Sequence, residues 1–485
     1  MVTPDITIRQ VRIADGNGGP FIEGDVEITG DRITSVGSAR DAIVEIDGAG
    51  MVLSPGFVDV HTHDDGALLA YPGMEFKLAQ GCTSVVVGNC GSSAIPPADD
   101  PILGSMNKTW TDLDGYFEAV AARQPSVNVM AQVGHNTVRR AVMGMDRRAP
   151  TAAELATMRG LVEMAMEQGT SGFSTGLIYQ PGRYSDTEEV VELARPCAEH
   201  GGVYNSHMRN EGERLFEAVD ELIHIGREAG CACHISHHKA AGKANWGRVA
   251  ESLERVDAAN ASGSDITLDV YPYTAGSGPM YQYFDPSNID RTLGEAVQIA
   301  ACFDFPELEG RRLVDVAVET GETIEALVHR IITAPNKERT ICVHFVIDEA
   351  DIETNLRHPR MMVGSDGIPN LKGRPHPRLF GTFPRVLGRY VRERGVIDLP
   401  EAVRKMTSLA CDRFGLVDRG RVEVGAFADL VLFDEASVID TATYDDPKQE
   451  PDGIAAVIVN GEVALDAGRH TGIGSGRPLR YRSSG

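Results

Sequence analysis

The sequence lacks an apolar segment long enough to cross a membrane, although 42% of its 485 residues are hydrophobic. A membrane-spanning helix needs roughly 20 consecutive apolar residues. The first ten residues, MVTPDITIRQ, also lack the basic and then apolar stretches of a secretory signal. We therefore expect a globular protein that stays in the cytoplasm and has no membrane partner.

Positive charge and cysteine are scarce as well. The 46 Lys and Arg are outnumbered by 70 Asp and Glu, which gives a formal charge of −24, whereas nucleic-acid binding requires clustered cations. Eight cysteines in so long a chain do not resemble the dense disulfide framework of a small secreted domain. The composition argues against a nucleic-acid partner and leaves a small anionic substrate open. It carries no signal of the oligomeric state.

Both ends of the chain have the texture of antiparallel β-structure. Residues 1–55 contain short alternating runs such as ITIRQVRIAD and DVEITG, and residues 406–485 contain ADLVLFD and AAVIVNGEVALD. Asn460-Gly461 lies between apolar runs and is a strong hairpin signal. We expect the two ends to build one small β-sandwich domain together.

The middle of the chain, residues 56–405, alternates apolar strand-like runs with amphipathic segments, which is typical of parallel strands joined by helices. Eight strands are predicted, at 56–63, 82–90, 127–135, 171–179, 201–207, 231–239, 265–273 and 361–367. The fold class predicted from this order is α/β, a distorted (β/α)8 barrel of the TIM type.

Two further segments of the middle carry local signals. Thr151 opens T-A-A-E, a capping box that predicts a helix ending near Gly169. The stretch 274–345 is too long for an ordinary crossover and contains helical segments of its own, such as TIEALVHRIITA. We expect it to be an insertion over the barrel mouth, acting either as a lid or as packing decoration.

Residues with metal-ligand chemistry recur at or near the carboxyl ends of the predicted strands, where active sites form in such barrels. They are His61, His63, Cys90, His207, His237 and Asp366. His61 and His63 are two residues apart, so on a strand both imidazoles point to the same side.

Each of these residues has an ordinary structural interpretation when taken singly. A buried histidine is usually a satisfied core side chain, a cysteine is usually a small hydrophobe, and Asp366 in S-D-G suits a turn. Six such residues on one face of a barrel instead predict a metal centre. Imidazole, thiolate and carboxylate together suit Zn²⁺ better than Mg²⁺ or Ca²⁺, and the same donors also accept iron, cobalt or nickel.

The motifs that surround these residues resemble those of the N-acyl-D-amino-acid deacylases of the amidohydrolase superfamily. The likeness covers nearly the whole chain and rests on PGFVDVHTHDD, VVVGNCG, VGHNTVRRAVMG, GFSTGLIYQPG, SHMRNEG, ISHHKAAGKANWGR, YPY, VGSDGIPN and HPRLFGTF. H-x-H after a first strand is shared by the superfamily, whereas the cysteine of G-N-C-G and the S-H-H-K run mark the deacylase branch.

The resemblance implies two metal positions. Cys90, His207 and His237 would hold one zinc tightly, and His61, His63 and Asp366 would form a more exposed, weaker position. His238 would point to the other strand face. Many members of the superfamily bridge two metals with a carboxylated lysine, but the fourth strand offers Ser174 and Thr175 there, so Cys90 is expected to take that place.

The resemblance also implies a reaction, the hydrolysis of N-acyl-D-amino acids by metal-activated water. Asp366 would act as general base towards the water and then as general acid towards the leaving nitrogen. The substrate carboxylate would be bound by Lys239, Tyr271, Ser277 and Arg378. The side-chain preference stays open between acidic and hydrophobic amino acids, although HPRLFGTFPRVLGRYVRE is similar to members that act on acidic substrates.

Two alternatives accompany this interpretation. A cyclic amide hydrolase, such as a hydantoinase or a dihydroorotase, is disfavoured by the missing lysine and by Cys90. A catalytically inactive scaffold is disfavoured because all six ligand positions are filled.

Overall fold

The computed structural model describes residues 3–98, 103, 106 and 108–481. The strands in chain order are β1 (Ile6–Ile13), β2 (Ile22–Thr29), β3 (Arg32–Val36), β4 (Val44–Asp47), β5 (Val52–Pro55), β6 (Phe57–Asp59), β7 (Cys82–Val87), β8 (Asn128–Ala131), β9 (Val133–Gly134), β10 (Gly172–Gly176), β11 (Val203–His207), β12 (Ala232–Ile235), β13 (Ile266–Val270), β14 (Gly276–Pro279), β15 (Val297–Ala301), β16 (Ile341–His344), β17 (Met361–Val363), β18 (Leu430–Phe433), β19 (Ile454–Val459), β20 (Glu462–Asp466) and β21 (Arg469–His470).

The α-helices are α1 (Ala67–Ala70), α2 (Glu75–Leu78), α3 (Leu113–Ala122), α4 (His135–Met143), α5 (Ala152–Glu167), α6 (Thr187–Glu199), α7 (Leu215–Ala229), α8 (Val249–Ala261), α9 (Arg291–Glu295), α10 (Leu313–Thr320), α11 (Ile324–Ile332), α12 (Glu349–Arg357), α13 (Arg378–Arg385), α14 (Leu399–Met406) and α15 (Ser408–Phe414). A π-helical segment, Val386–Glu393, continues α13.

Parallel strands form the predicted barrel in two arcs. One arc is β6-β7-β8 and the other is β9-β10-β11-β12-β13-β17. Only Gln132 separates β8 from β9, and a parallel bridge between Thr62 and Gly367 joins the far ends of the arcs. Each of the eight predicted strand segments contains an observed strand, so the (β/α)8 prediction is confirmed. Apart from Ala232 at the start of β12, the barrel strands are buried, which is why they appear as largely apolar runs in the sequence.

The helix predicted at Thr151 is α5. The Thr151 side chain accepts a hydrogen bond from the Glu154 backbone, and the Glu154 side chain accepts one from the Thr151 backbone. Gly169 follows the helix with a φ of +100°, a conformation that suits glycine. The local signals therefore set both ends of this helix.

Strands from both chain ends form one continuous nine-stranded sheet, in the order β21-β20-β19-β18-β5-β1-β2-β3 with β4 on β1. Asn460 and Gly461 turn β19 into β20 with φ values of 50° and 82°, as the hairpin signal predicts. Leu430 and Leu432 pack on the inner face of this sheet with Ile8. The alternate residue Val431 joins the barrel core.

The predicted insertion is a compact α/β unit. Its antiparallel sheet has the order β14-β16-β15, and α9, α10 and α11 lie in the same stretch. Met280, Val297, Leu327 and Ile331 are among the buried residues of a separate hydrophobic core. The unit therefore has its own packing, while the Ser277 carbonyl of β14 contacts Arg378 and the His344 ring of β16 packs against Tyr283 at the barrel mouth.

The eight cysteines are all free thiols, and seven of them are buried. Within the residues that the structure describes, no helix combines the length and the apolarity needed to cross a membrane.

Candidate metal centre

The predicted ligands come together at the carboxyl-terminal end of the barrel. They are buried and fall into two groups whose ligand atoms lie within 4.8 Å of one another: His61, His63, Cys90 and Asp366 in one group, and Cys90, His207 and His237 in the other. The thiol of Cys90 belongs to both groups. The resemblance implies that the position of His61, His63 and Asp366 is the more exposed one. In the structure both groups are buried, so exposure does not distinguish the two positions.

The turn that carries His61 and His63 lies beyond its strand. β6 ends at Asp59, although the prediction placed both histidines within a strand over 56–63. The turn is held by the segment that carries Asp366: the backbone N–H of Asp366 donates to the His61 carbonyl at 2.7 Å, and the His63 N–H donates to the Gly367 carbonyl at 3.0 Å. The first and last strands of the barrel thus meet at the site itself.

Three of the ligands have left-handed backbone conformations. The φ values are 53° at Cys90, 35° at His237 and 49° at Asp366. For a residue with a Cβ this region costs roughly 1–2 kcal/mol, and such strain persists only where the surroundings impose it. Each strand therefore ends in a sharp turn that directs its ligand towards the barrel axis.

The turn at Cys90 is clamped by the fourth strand. Ser174 Oγ donates to the Gly88 carbonyl at 2.5 Å and accepts from the Gly91 N–H at 3.1 Å. A Cβ at Gly176 would lie 2.1 Å from the Cys90 carbonyl oxygen, so only glycine allows this approach. Thr175 faces away and contacts Tyr204 Oη at 3.0 Å. Ser174 and Gly176 therefore hold the Cys90 turn in place.

The donor spacing fits a metal of the zinc type. Cys90 Sγ lies 3.5 Å from His237 Nε2, 3.7 Å from His207 Nδ1 and 3.2 Å from His61 Nε2. Asp366 Oδ1 lies 3.2 Å from His63 Nε2. Donors on one tetrahedral zinc are about 3.3 to 3.7 Å apart at the usual bond lengths. The donor types and the distances from Cys90 to His207 and His237 therefore suit a metal site.

The electrostatics favour a thiolate at the centre. Burial disfavours a charged sulfur, but His61 and His237 outweigh it and hold the pKa of Cys90 well below its usual range. Burial likewise opposes a proton on His63, but Asp366 and Cys90 raise its pKa to about 9. A cation that binds here would therefore have to displace a proton from His63.

Asp269 on β13 orients two of the ligands and was not found from the sequence. Its Oδ2 lies 3.0 Å from His61 Nδ1, and its Oδ1 accepts from the His237 backbone N–H at 3.0 Å. Burial opposes its charge, but His61 and His234 lower the pKa of Asp269 well below its usual range. A ligand histidine commonly donates its second ring N–H to such a carboxylate. Its place in DITLDVYPY, two residues before Tyr271 on one strand face, was the available signal.

Glu211 plays the same part beside the other group. Its Oε1 lies 2.9 Å from His237 Nδ1 and 2.6 Å from Lys239 Nζ. Lys239, which the sequence assigned to substrate binding, is thus already paired with a carboxylate that supports a ligand. His238 faces away as expected and contacts Asn355 and Ser252 at 2.7 and 2.8 Å.

Arg378 brings the remaining predicted contacts together. Its Nη2 lies 2.9 Å from Asp366 Oδ2 and donates to the Ser277 carbonyl at 3.3 Å, while its guanidinium lies 4.4 Å from the ring centre of Tyr271. Its Nε and Nη1 are buried and have no hydrogen-bond partner among the described residues. Ser277 contacts Arg378 through its carbonyl. Two donors of a buried cation thus remain available beside Asp366.

Aromatic side chains cover the centre. The Tyr179 ring packs edge-on against His207 at 4.6 Å between ring centres, and Tyr179 Oη lies 3.0 Å from Tyr283 Oη. The Tyr283 ring lies 4.6 Å from that of His344. Because Tyr283 and His344 belong to the insertion, that unit forms part of the site.

Comparisons with known proteins agree with this geometry. The amidohydrolase family matches residues 44–275 and 208–465. The D-aminoacylase of Alcaligenes xylosoxydans xylosoxydans is 42% identical over 98% of this chain and 97% of its own length. The N-acyl-D-glutamate deacylase of the same organism is 42% identical over 94% of this chain and 93% of its own length.

The chain belongs to the N-acyl-D-amino-acid deacylase family of the amidohydrolases. A solved deacylase, the N-acyl-D-glutamate deacylase of Bordetella bronchiseptica in complex with zinc and a phosphonate inhibitor, superposes with a TM-score of 0.92 at 38% identity, over 99% of this chain and all (100%) of that one. Metal dependence is thus a property of the family. The fourth barrel strand, β10, carries no lysine. This disfavours the cyclic-amide alternative, whereas the deacylase interpretation accounts for Cys90.

Proposed function

We propose that the chain hydrolyses the amide bond of N-acyl-D-amino acids and releases a carboxylate and the free D-amino acid. The contact between Asp366 and Arg378 at 2.9 Å carries the proposal. In an N-acyl amino acid only one carbon separates the carboxylate from the amide nitrogen. A substrate whose carboxylate is bound by Arg378 therefore has its scissile bond beside Asp366.

The residues present fit one tight zinc ion and a second, weaker one. We assign the tight position to Cys90, His207 and His237, and the weaker position to His61, His63 and Asp366; the Cys90 thiol belongs to both donor groups. Zinc held there supplies Lewis-acid chemistry, which acidifies water and polarises a carbonyl oxygen. Asp269 and Glu211 fix the orientation of the imidazole ligands.

Asp366 moves the proton. Burial opposes its charge, but Arg378 and His237 lower the pKa of Asp366 well below its usual range, so it is a carboxylate before substrate arrives. When a substrate carboxylate engages Arg378, part of that stabilisation is withdrawn and Asp366 becomes a stronger base. It takes a proton from the attacking water and then delivers it to the leaving nitrogen.

The substrate carboxylate is received by Arg378 through Nε and Nη1, a fork that suits two carboxylate oxygens. Tyr271 lies between the two cations, 4.4 Å from the Arg378 guanidinium and 5.7 Å from Lys239 Nζ, measured to its ring centre. Ser277 supports Arg378 from behind. Since Lys239 is paired with Glu211, we assign it to the edge of this subsite.

Release of free amine from paired N-acetyl-D and N-acetyl-L amino acids tests the proposal. Zinc-loaded protein is expected to turn over D substrates alone, a configuration that we take from the relatives. Metal content measured on the same sample should reach at least one zinc per chain. Zinc binding without turnover of any D substrate would contradict the proposed function.

A further inference from the structure

The walls of the site also bear on the amino-acid side chain of the substrate. Resting on the proposed function, we propose that the preferred N-acyl-D-amino acids have uncharged side chains, and that Tyr283 and His344 of the insertion select them. This preference depends on which cations remain available once the substrate α-carboxylate is bound.

One carboxylate uses the available positive charge. Arg378 has one nitrogen on Asp366 and the Ser277 carbonyl, and its two unpartnered nitrogens serve the α-carboxylate. The Lys239 ammonium lies 2.6 Å from Glu211 Oε1 and 2.8 Å from His237 Nδ1. A second substrate carboxylate would compete with Glu211 for that ammonium or enter without a cation. A carboxylate that leaves water without a partner is strongly disfavoured.

The wall beside this subsite is aromatic and neutral. The hydroxyl groups of Tyr179 and Tyr283 form one hydrogen bond with each other at 3.0 Å. His344 is held uncharged, because burial together with Arg378 and Lys239 lowers its pKa to about 3. Its Nδ1 is buried without a hydrogen-bond partner among the described residues. Uncharged rings with few spare polar atoms suit a neutral apolar, aromatic or amide side chain.

The sequence of β14 makes room for this wall. A Cβ at Gly278 would lie 2.3 Å from Tyr283 Oη, and a Cβ at Gly276 would lie 2.6 Å from His344 Nε2. The two glycines flank Ser277, whose carbonyl holds Arg378. The short strand β14 therefore positions Arg378 through the Ser277 carbonyl, and its two glycines leave space for the His344 and Tyr283 rings.

Matched substrate pairs that differ only in charge test the inference on the wild-type enzyme. We expect kcat/KM for N-acetyl-D-glutamine to exceed that for N-acetyl-D-glutamate by on the order of a hundredfold, and the same for asparagine against aspartate. N-acetyl-D-leucine and N-acetyl-D-phenylalanine should be turned over as well. Equal or better turnover of the acidic member in each pair overturns the inference, whereas silence on every D substrate overturns the proposed function.

His344→Lys tests the role of the wall. A cation at this position is expected to shift the glutamate-to-glutamine ratio at least tenfold towards glutamate. His329→Lys makes the same change at an exposed position of α11 and should leave the ratio unchanged. An unchanged ratio in folded His344→Lys removes His344 from the specificity wall. If that variant does not fold, the wild-type pairs still decide the substrate class.

Discussion

Asp366 is the residue on which two requirements meet. It lies among the metal donors, 3.2 Å from His63 Nε2, and it pairs with Arg378 at 2.9 Å. The first contact suits a ligand and the second suits a base whose strength depends on what Arg378 binds. Under the proposed function, Asp366 is therefore needed for turnover more than for holding zinc.

Asp366→Asn is expected to lower kcat by about 10²–10⁴-fold, because an amide neither accepts nor delivers the proton. The tight position contains Cys90, His207 and His237, so zinc content should stay near one per chain. Asp445→Asn removes the same charge from an exposed loop and is the matched control. Wild-type kcat in metal-replete Asp366→Asn protein would rule out the proton-transfer role.

Cys90→Ser is expected to reduce zinc below one equivalent, since the thiolate belongs to both donor groups and a hydroxyl is a poor ligand for zinc. Metal analysis after dialysis measures this directly. Cys231→Ser changes a cysteine outside both groups and should retain the metal. Full zinc retention in Cys90→Ser would show that the thiolate does not hold the ion.

At the residue level, the sequence revealed ligands and missed their supports. His61, His63 and Cys90 stand in short motifs at strand ends, so chemistry and position coincide in the chain. Asp269 and Glu211 are single carboxylates in ordinary contexts, and they reach the ligands only through packing between strands and turns distant in sequence. The second layer of the site depends on tertiary contacts that no local pattern records.

At the scale of elements, the fourth strand acts through its small residues. β10 places Ser174 and Gly176 against the Cys90 turn, and any side chain at Gly176 collides with the Cys90 carbonyl. Contacts between residues distant in sequence also explain why the insertion was only partly predictable. Its helices have local signals, whereas the pairing of β14 with β16 joins residues near 277 and 343, a contact that sequence spacing does not announce.

Gly176→Ala is expected to destabilise the protein by about 1–3 kcal/mol through overpacking and to weaken zinc binding by displacing Cys90. Thermal unfolding and metal content of one sample report both effects. Gly160→Ala lies within α5 with open space around it and should be neutral or stabilising by roughly 0.5–1 kcal/mol. Unchanged metal affinity in Gly176→Ala would show that the turn is held by other contacts.

At the scale of the whole molecule, metal binding is linked to protonation. Asp366 and Cys90 raise the pKa of His63 to about 9, so below that pH a cation must displace its proton. Affinity at the weaker position is expected to fall about tenfold per pH unit per displaced proton between pH 9 and 7. The free energy of unfolding has the opposite pH dependence. The raised pKa of His63 stabilises the fold fully below the ordinary value of about 6.5, and this stabilisation is lost as the pH rises through 9.

Zinc titration calorimetry in buffers of different ionisation enthalpy measures the protons released. We expect release at pH 7 and much less near pH 10. A pH-independent affinity would contradict the protonated state of His63.

The barrel class and the shared end sheet were predictable from strand order alone, while the domain boundaries at 55 and 405 stay predictions.

The sheet shared by the two chain ends also has a consequence for biosynthesis. β5 ends at Pro55 and pairs with β18, which begins at Leu430. At translation rates of about 5–20 residues per second the ribosome needs on the order of a minute to deliver that partner. During this time β5 has no β18 to pair with, so the edge of the nascent amino-terminal sheet stays unpaired. Unpaired strand edges promote aggregation, and chaperones protect nascent chains from it.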